Sequence, residues 1–226
     1  GTPNTFVGAS AGALNTGGAN NVAVGTNALY SNADTNFNTA IGNYALEFQN
    51  EGGRNIAVGY QALNADTKGA RSVAIGWGAL ATQNFTAVTI TGNTAVGYDA
   101  GKLVTTGTAN TLIGSLAGDT QTSAANNTAV GYNAGLSVTT GVRNTLIGGL
   151  TGDALTTGAG NVALGCNALS TEDTGGKNTA IGHESLTNLN FDGDAYNTAV
   201  GFNSGLSITT GVKNTLIGGL AGDALT

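Results

Sequence analysis

The sequence predicts an all-β solenoid of about 13 coils, chiefly because one short motif recurs at an almost constant interval. One copy of this motif reads Asn93-Thr94-Ala95-Val96-Gly97. Ten of the twelve steps between successive motif glycines have the same length, which defines a 17-residue repeat. The exceptions are the longer steps from Gly76 to Gly97 and from Gly182 to Gly201. A fixed period of this length is typical of stacked supersecondary units. The 13 motif glycines are Gly8, Gly25, Gly42, Gly59, Gly76, Gly97, Gly114, Gly131, Gly148, Gly165, Gly182, Gly201 and Gly218.

The motif has the composition of a short strand that ends in a turn. Its first position is Asn in all copies but one, which has Ser72. The second is Thr or a β-branched aliphatic residue, the third is mostly Ala, and the fourth is Val, Ile or Leu. Such residues favour a strand, and Gly favours the turn. Because side chains alternate along a strand, we expect positions two and four to point inward together and the Ala to face another sheet.

The second half of each coil predicts a further turn and a regular interior. Thr139-Thr140-Gly141 and similar segments indicate a turn about ten residues after the motif Gly, which leaves two short strands per coil. Four residues after the motif Gly, six copies carry Leu and seven carry Gly. Five of the seven have an apolar residue three positions later. We therefore expect one large apolar side chain from this half of nearly every coil. Twelve steps of about 4.8 Å predict a rod about 58 Å long.

Stacking turns each motif position into a column along the rod. The Asn column is expected to form hydrogen bonds along the axis, as stacked Asn side chains do in other β structures. A roll lined by Ala, Val and Leu is thin and buries little area, which favours self-association. The central ladder residues are Asn93, Asn110, Asn127, Asn144, Gly97, Gly114, Gly131 and Gly148.

Composition excludes several classes of function. The net charge of −6 argues against nucleic acid as a partner. No apolar run approaches the roughly 18 residues needed to span a membrane, so we expect no membrane insertion. The lone His183 and Cys166 form no cluster with metal-ligand spacing. We therefore expect no enzyme activity, no cofactor and no metal.

The unbroken period predicts a single elongated repeat domain over residues 1–226. The repeats run to both ends of the sequence without the capping units that a solenoid needs. We interpret the chain as an excerpt of a longer fibre chain.

Two sequence variants of the repeat resemble repeats of known fibrous proteins. Arg71-Ser72-Val73-Ala74-Ile75-Gly76 resembles the head repeat of trimeric autotransporter adhesins of the YadA type, and residues 127–135 resemble the repeats of trimeric bacteriophage tail-fibre proteins. The resemblance covers all 13 copies and implies a left-handed parallel β-roll, a homotrimer, and an attachment role on a bacterial surface or virion, hence outside the cell. The adhesin repeats are usually shorter than the 17-residue repeat of this chain.

Exposed aromatic residues are the candidate contacts for a surface glycan or host receptor. Tyr60, Trp77 and Tyr98 follow the motif Gly on three successive coils, and such rings stack on sugars. Alternatively, they cover a turn or fill a subunit interface. The two irregular steps place insertions at 82–92 and 188–196. These insertions either form loops on a binding face or fill the space where the large core residue changes its position in the coil. Their aromatic residues are Phe85, Phe191 and Tyr196.

Two other functions remain as alternatives. An ice-binding solenoid would use the Thr that fills position two in nine copies, but we expect this Thr to point inward. A polysaccharide-acting solenoid enzyme would need paired carboxylates on neighbouring coils, and the 13 Asp and Glu residues are scattered.

Overall fold

The computed structural model describes residues 3–225 and contains one parallel sheet of 13 strands with a smaller sheet of two. Each strand of the large sheet pairs with the equivalent strand of the next coil, as Ala129 does with Leu146. The predicted β-solenoid of about 13 coils is confirmed. The strands are β1 Thr5–Val7, β2 Val22–Val24, β3 Thr39–Ile41, β4 Ile56–Val58, β5 Gly69–Ala70, β6 Val73–Ile75, β7 Thr89–Ile90, β8 Thr94–Val96, β9 Thr111–Ile113, β10 Thr128–Val130, β11 Thr145–Ile147, β12 Val162–Leu164, β13 Thr179–Ile181, β14 Thr198–Val200 and β15 Thr215–Ile217. Only β5 and β7 among these strands lie outside the large sheet.

The prediction of two strands per coil is wrong. In the second half of a coil, the second and fourth residues after the motif Gly adopt left-handed conformations, with φ of 54° at Asn133 and 58° at Gly135. An extended strand cannot contain residues in that region. Hydrogen bonds between coils nevertheless continue there, and the Gly118 N–H donates to the Ala134 carbonyl at 3.0 Å. Most coils therefore have one three-residue strand and a long series of turns, and only the two coils that hold β5 and β7 add a second, two-residue strand within residues 3–225.

The motif glycine is required by both conformation and space. Gly97 has a backbone φ of 144°, a conformation that L-residues with a side chain rarely adopt. A Cβ on Gly97 would lie 2.3 Å from the carbonyl oxygen of Gly114 on the next coil. Any other residue at this position would therefore push two coils apart.

The predicted orientation of the strand side chains is also wrong. Position three points into the coil, where Ala129 is fully buried, and positions two and four point outward. The interior is narrow, since a Cβ on Gly135 would lie 3.7 Å from the Ala129 Cβ on the opposite wall. Ala therefore fills the inner side in nine of the 13 strands. We call the outward side chains of positions two and four in the 13 strands the strand face.

Large side chains enter the interior from two opposite walls of the coil. Where one wall carries a large residue, the other carries a small one. The Leu residues four positions after the motif Gly are buried as predicted, and so are Val104, Val138, Leu155 and Ile208. A further contribution was not predicted. Where position three is Leu112, the facing residue is Gly118, and a Cβ there would lie 2.7 Å from the Leu112 Cδ2. Large residues on one wall are thus matched by Gly on the other. The buried Leu residues of the predicted column are Leu29, Leu46, Leu63, Leu80, Leu169 and Leu186.

The Asn column forms a ladder of side-chain to backbone hydrogen bonds. The Asn127 Oδ1 accepts from the Asn144 N–H of the next coil at 2.8 Å, and the Asn127 Nδ2 donates to the Gly141 carbonyl at 2.8 Å. The same two bonds link Asn93 and Asn110 to their neighbours. All four ladder Asn residues are buried. Because a buried polar group without a partner costs about 1–3 kcal/mol, each satisfied Asn keeps two coils in register.

A second polar column lies seven residues after the motif Gly and is only partly satisfied. Gln83 donates to Asp66 and Ser72 and accepts from the Asn93 amide, so its buried amide is fully used. Gln121 occupies the same column and is equally buried. Within residues 3–225, neither amide atom of Gln121 has a hydrogen-bond partner. The column therefore contains two well-paired Gln residues, Gln49 and Gln83, and the unpaired Gln121.

Exchanging the large and small residues of one coil tests the matching of the walls. Gly118→Leu alone should destabilise the rod by about 1–3 kcal/mol through overpacking, and Leu112→Ala alone by about 2–5 kcal/mol through a cavity. The double variant reproduces the Ala and Leu arrangement of the coil that contains Leu63. It should therefore be more stable than the sum of the two changes predicts, as measured by urea denaturation. Strictly additive changes in the free energy of unfolding would contradict the matching.

Gln83 and Gln121 provide a matched pair of substitutions. Gln121→Leu should raise the free energy of unfolding by about 1–3 kcal/mol, because it removes an unpaired buried amide. Gln83→Leu should lower it, because Asp66 and Asn93 lose a partner. Thermal and urea unfolding of both variants measure the difference. Two variants that shift stability in the same direction would show that the two sites do not differ.

Candidate ligand-binding site

The first insertion, residues 82–92, folds partly inward. Phe85 is only 8% exposed, so little of its ring is available to a ligand. Thr89 and Ile90 form β7 and pair with β5, which accommodates part of the added length in a second small sheet. Val88 and Ile90 are the exposed apolar side chains of this insertion. Its aromatic residue therefore packs within the rod instead of forming an outer contact.

The second insertion, residues 188–196, forms one wall of an open depression of about 570 Å³. Residues from three successive coils line it, so the depression exists only where the coils are stacked. The coil before the insertion contributes an aspartate and the coil after it contributes a threonine of the Thr-Thr-Gly turn. The lining residues are Asp173, Asn190, Phe191, Asp192 and Thr210.

Backbone hydrogen bonds fix the second insertion on both sides. The Asn190 N–H donates to the Thr209 carbonyl at 2.7 Å, and the Gly176 N–H donates to the Gly193 carbonyl at 2.9 Å. The Phe191 N–H donates to the Glu172 Oε2 at 3.2 Å, and the Phe191 ring packs against the apolar interior. The depression is therefore formed by a well-anchored loop.

Two carboxylates that the sequence left apart meet at this depression. The Asp173 Oδ1 accepts from the Thr174 N–H at 2.7 Å, and the Asp192 Oδ1 accepts from the Thr174 hydroxyl at 2.8 Å. The two aspartates belong to successive coils and come together where the irregular step lengthens one of them. Sequence reasoning selected Phe191 here and missed Asp173, Asn190 and Thr210.

Tyr196, at the end of the second insertion, is held by charged neighbours. The Lys177 Nζ lies 5.1 Å from the centre of the Tyr196 ring and 3.1 Å from its hydroxyl. The same Lys177 forms an ion pair with Asp194 at 2.7 Å. This cluster fixes the aromatic ring on the rod surface, where it remains half exposed.

The aromatic residues that follow the motif Gly stack mainly on one another. The Tyr60 and Trp77 rings are stacked with their centres 4.3 Å apart and their planes inclined by 29°, while Tyr44 meets Tyr60 edge-on at 5.9 Å. One face of Tyr60 and one of Trp77 are thus covered, which leaves fewer ring faces for sugars than the sequence suggests. Trp77 and Tyr98 are more than half exposed. His183 stacks on Phe202 at 5.4 Å in the same column.

Burial raises the pKa of two carboxyl groups inside the rod. Burial raises the pKa of the Glu172 carboxyl, although the N–H groups of Gly175 and Phe191 oppose this effect. The pKa of Asp66 is also raised by burial, against hydrogen bonds from Gly69 and Gln83. Both groups lie inside the rod. Their protonation therefore affects the stability of the fold more directly than it affects contact with a ligand.

Neither a cluster of metal ligands nor a membrane-spanning helix occurs in the described part of the chain. Among residues 3–225, no three His, Cys, Asp or Glu side chains gather where they could hold a metal ion. The same residues include no helix of the length and apolar character needed to cross a membrane. Comparison of the chain with protein-family models, with curated proteins and with solved structures finds no match.

The raised carboxyl pKa values predict that mild acid stabilises the rod. A carboxyl whose pKa is higher in the folded state binds its proton more tightly there than in the unfolded chain. Its stabilising effect is complete below the unfolded pKa of about 4 and is lost as the pH rises through the folded value. The melting temperature should therefore be higher near pH 4 than at pH 7, and Glu172→Gln should reduce the difference. A melting temperature that is lower near pH 4 than at pH 7 would contradict the prediction.

Proposed function

We propose that the chain is a non-enzymatic segment of an attachment fibre, in which three copies associate through their strand faces. The observation that carries the proposal is the composition of the strand face. Positions two and four of the 13 described strands hold only Thr, Val, Ile and Leu. Ile41, Ile56 and Leu164 on this face are 40%, 41% and 46% exposed. Position four is Val, Ile or Leu in all 13 strands, and a continuous apolar stripe of this length is uncommon on a monomeric protein.

A second copy of the same chain is the partner that this face fits best. The outward side chains recur once per coil, at about 4.8 Å along the rod. A surface with another repeat would lose register after a few coils, whereas an identical rod keeps it over the full length. The interior is also thin, because Ala occupies most inward strand positions and is fully buried at each of them. Covering the strand face would add apolar burial that a single rod lacks.

The number of copies and the attachment role rest on the sequence resemblance to trimeric adhesins and tail fibres. Both implied assemblies act outside the cell, on a bacterial surface or a virion. The uniform coils suit a shaft that holds a ligand site away from the particle. The net negative charge of the chain is unfavourable for binding nucleic acid.

A charge placed on the strand face tests the assembly. Val130→Lys should convert the trimer to monomers, because burying an unpaired ammonium in an apolar interface is strongly unfavourable. Thr140→Lys adds the same charge at an exposed turn of the same region and should leave the trimer intact. Sedimentation equilibrium should give three times the chain mass of 22.1 kDa for the unmodified protein. A monomeric unmodified protein would refute assembly through this face.

An ice-binding solenoid is the second candidate, and the orientation of Thr favours it. The nine Thr residues at position two point outward, contrary to the sequence-based expectation. A flat array of hydroxyl and methyl groups at regular spacing is suited to ordering water. Both candidates use the strand face, so they exclude each other. Thermal hysteresis shown by a monomer would support ice binding, and a trimer without hysteresis would support the fibre. The nine residues are Thr5, Thr39, Thr94, Thr111, Thr128, Thr145, Thr179, Thr198 and Thr215.

A further inference from the structure

The depression at the second insertion points to a ligand class. We propose that it binds a neutral saccharide through the carboxylates of Asp173 and Asp192 and the ring of Phe191. The inference rests on the attachment role proposed above and names the ligand for it. The depression lies in the second half of the coil, outside the strand face, so the saccharide site and the assembly can be tested separately.

The two carboxylates are positioned and each keeps one oxygen available. Thr174 lies between them and uses one oxygen of each, Oδ1 of Asp173 and Oδ1 of Asp192. Within residues 3–225, no protein group donates a hydrogen bond to either Oδ2. Fixed carboxylate oxygens are strong acceptors for hydroxyl donors, and charge-assisted hydrogen bonds are about twice as strong as neutral ones. Two such oxygens on one wall suit a pair of adjacent sugar hydroxyls.

Phe191 supplies the apolar part of the site. Its backbone N–H is bonded to Glu172 and its ring packs partly on the interior, so its orientation is set before a ligand arrives. Aromatic rings bind the C–H face of a sugar while nearby polar groups bind its hydroxyls. The Asn190 amide and the Thr210 hydroxyl also line the depression and can both donate and accept hydrogen bonds.

Charge and size select among ligands. The depression holds two carboxylates, and its lining contains no Lys, Arg or His among the described residues. An anionic sugar or phosphate would be repelled, and a long apolar ligand would leave the carboxylates unpaired. The volume of about 570 Å³ lies within the usual range for small-ligand sites. A neutral pyranose is therefore the ligand class that uses every lining group.

Saturation-transfer NMR and calorimetry with the methyl pyranosides of glucose, galactose, mannose and N-acetylglucosamine test the site on the whole chain. We expect saturable binding of at least one of them. Asp192→Asn should weaken it about tenfold or more, the usual effect of losing one hydrogen bond to a charged group. Phe191→Leu, with its fold checked by circular dichroism, should also weaken it.

Asp34 provides a matched control. Its Oδ1 accepts from the Thr16 hydroxyl at 3.3 Å, as the Asp192 Oδ1 does from Thr174, but it lies on a regular step without an insertion. Asp34→Asn should leave saccharide binding unchanged.

The outcomes separate this inference from the fibre proposal. A trimer that binds none of the four glycosides at millimolar concentration overturns the saccharide site and leaves the assembly standing. Binding that Asp192→Asn and Asp34→Asn affect equally also overturns it. A monomer that binds a glycoside in an Asp192-dependent way supports the site and refutes the trimer.

Discussion

The narrow interior of the coil is the constraint on which the rest of this structure depends. Opposite walls are so close that a Cβ on Gly135 would lie 3.7 Å from the Ala129 Cβ. One wall must therefore be small wherever the other is large, as Leu112 facing Gly118 illustrates. In the coils that carry a large residue on the opposite wall, the same closeness places Ala on the inside of the strand and the larger β-branched residues on the outside. The apolar strand face, and with it the proposed self-association, follows from this lack of internal space.

The periodic features of the fold could be predicted from the sequence, whereas the directions of side chains could not. The constant interval between motif glycines predicts parallel stacking, and β-branched residues followed by Gly predict the strands. In a strand of three residues, however, Val130 looks more like a core residue than Ala129 does. Only the distance to the opposite wall decides between them, and that distance is a property of the closed coil. The left-handed conformations of Leu29 and Leu46, with φ of 53° and 51°, could not be predicted from the sequence for a similar reason. Leu seldom adopts them unless stacking imposes them.

The candidate site was predicted only in part. The irregular step at 188–196 is visible in the sequence, and Phe191 was selected from it. Asp173 and Thr210 belong to the neighbouring coils, and their meeting with Asp192 depends on how the added residues leave the stack. The other insertion shows the same difficulty, because Phe85 was expected on the surface and lies inside. The spacing between successive motif glycines locates an insertion in the chain. It does not determine which side chains of the insertion point inward.

The Asn ladder also bears on how the length of the rod is determined. Each ladder oxygen accepts from the backbone of the coil that follows, as Asn127 does from Asn144, and each regular coil offers the same donor. A coil removed by recombination between two motif glycines would leave its former neighbours able to make the same bonds. The number of coils is thus independent of the chemistry that joins them. The length of such a rod can therefore change in steps of one repeat while the bonds between its coils stay the same.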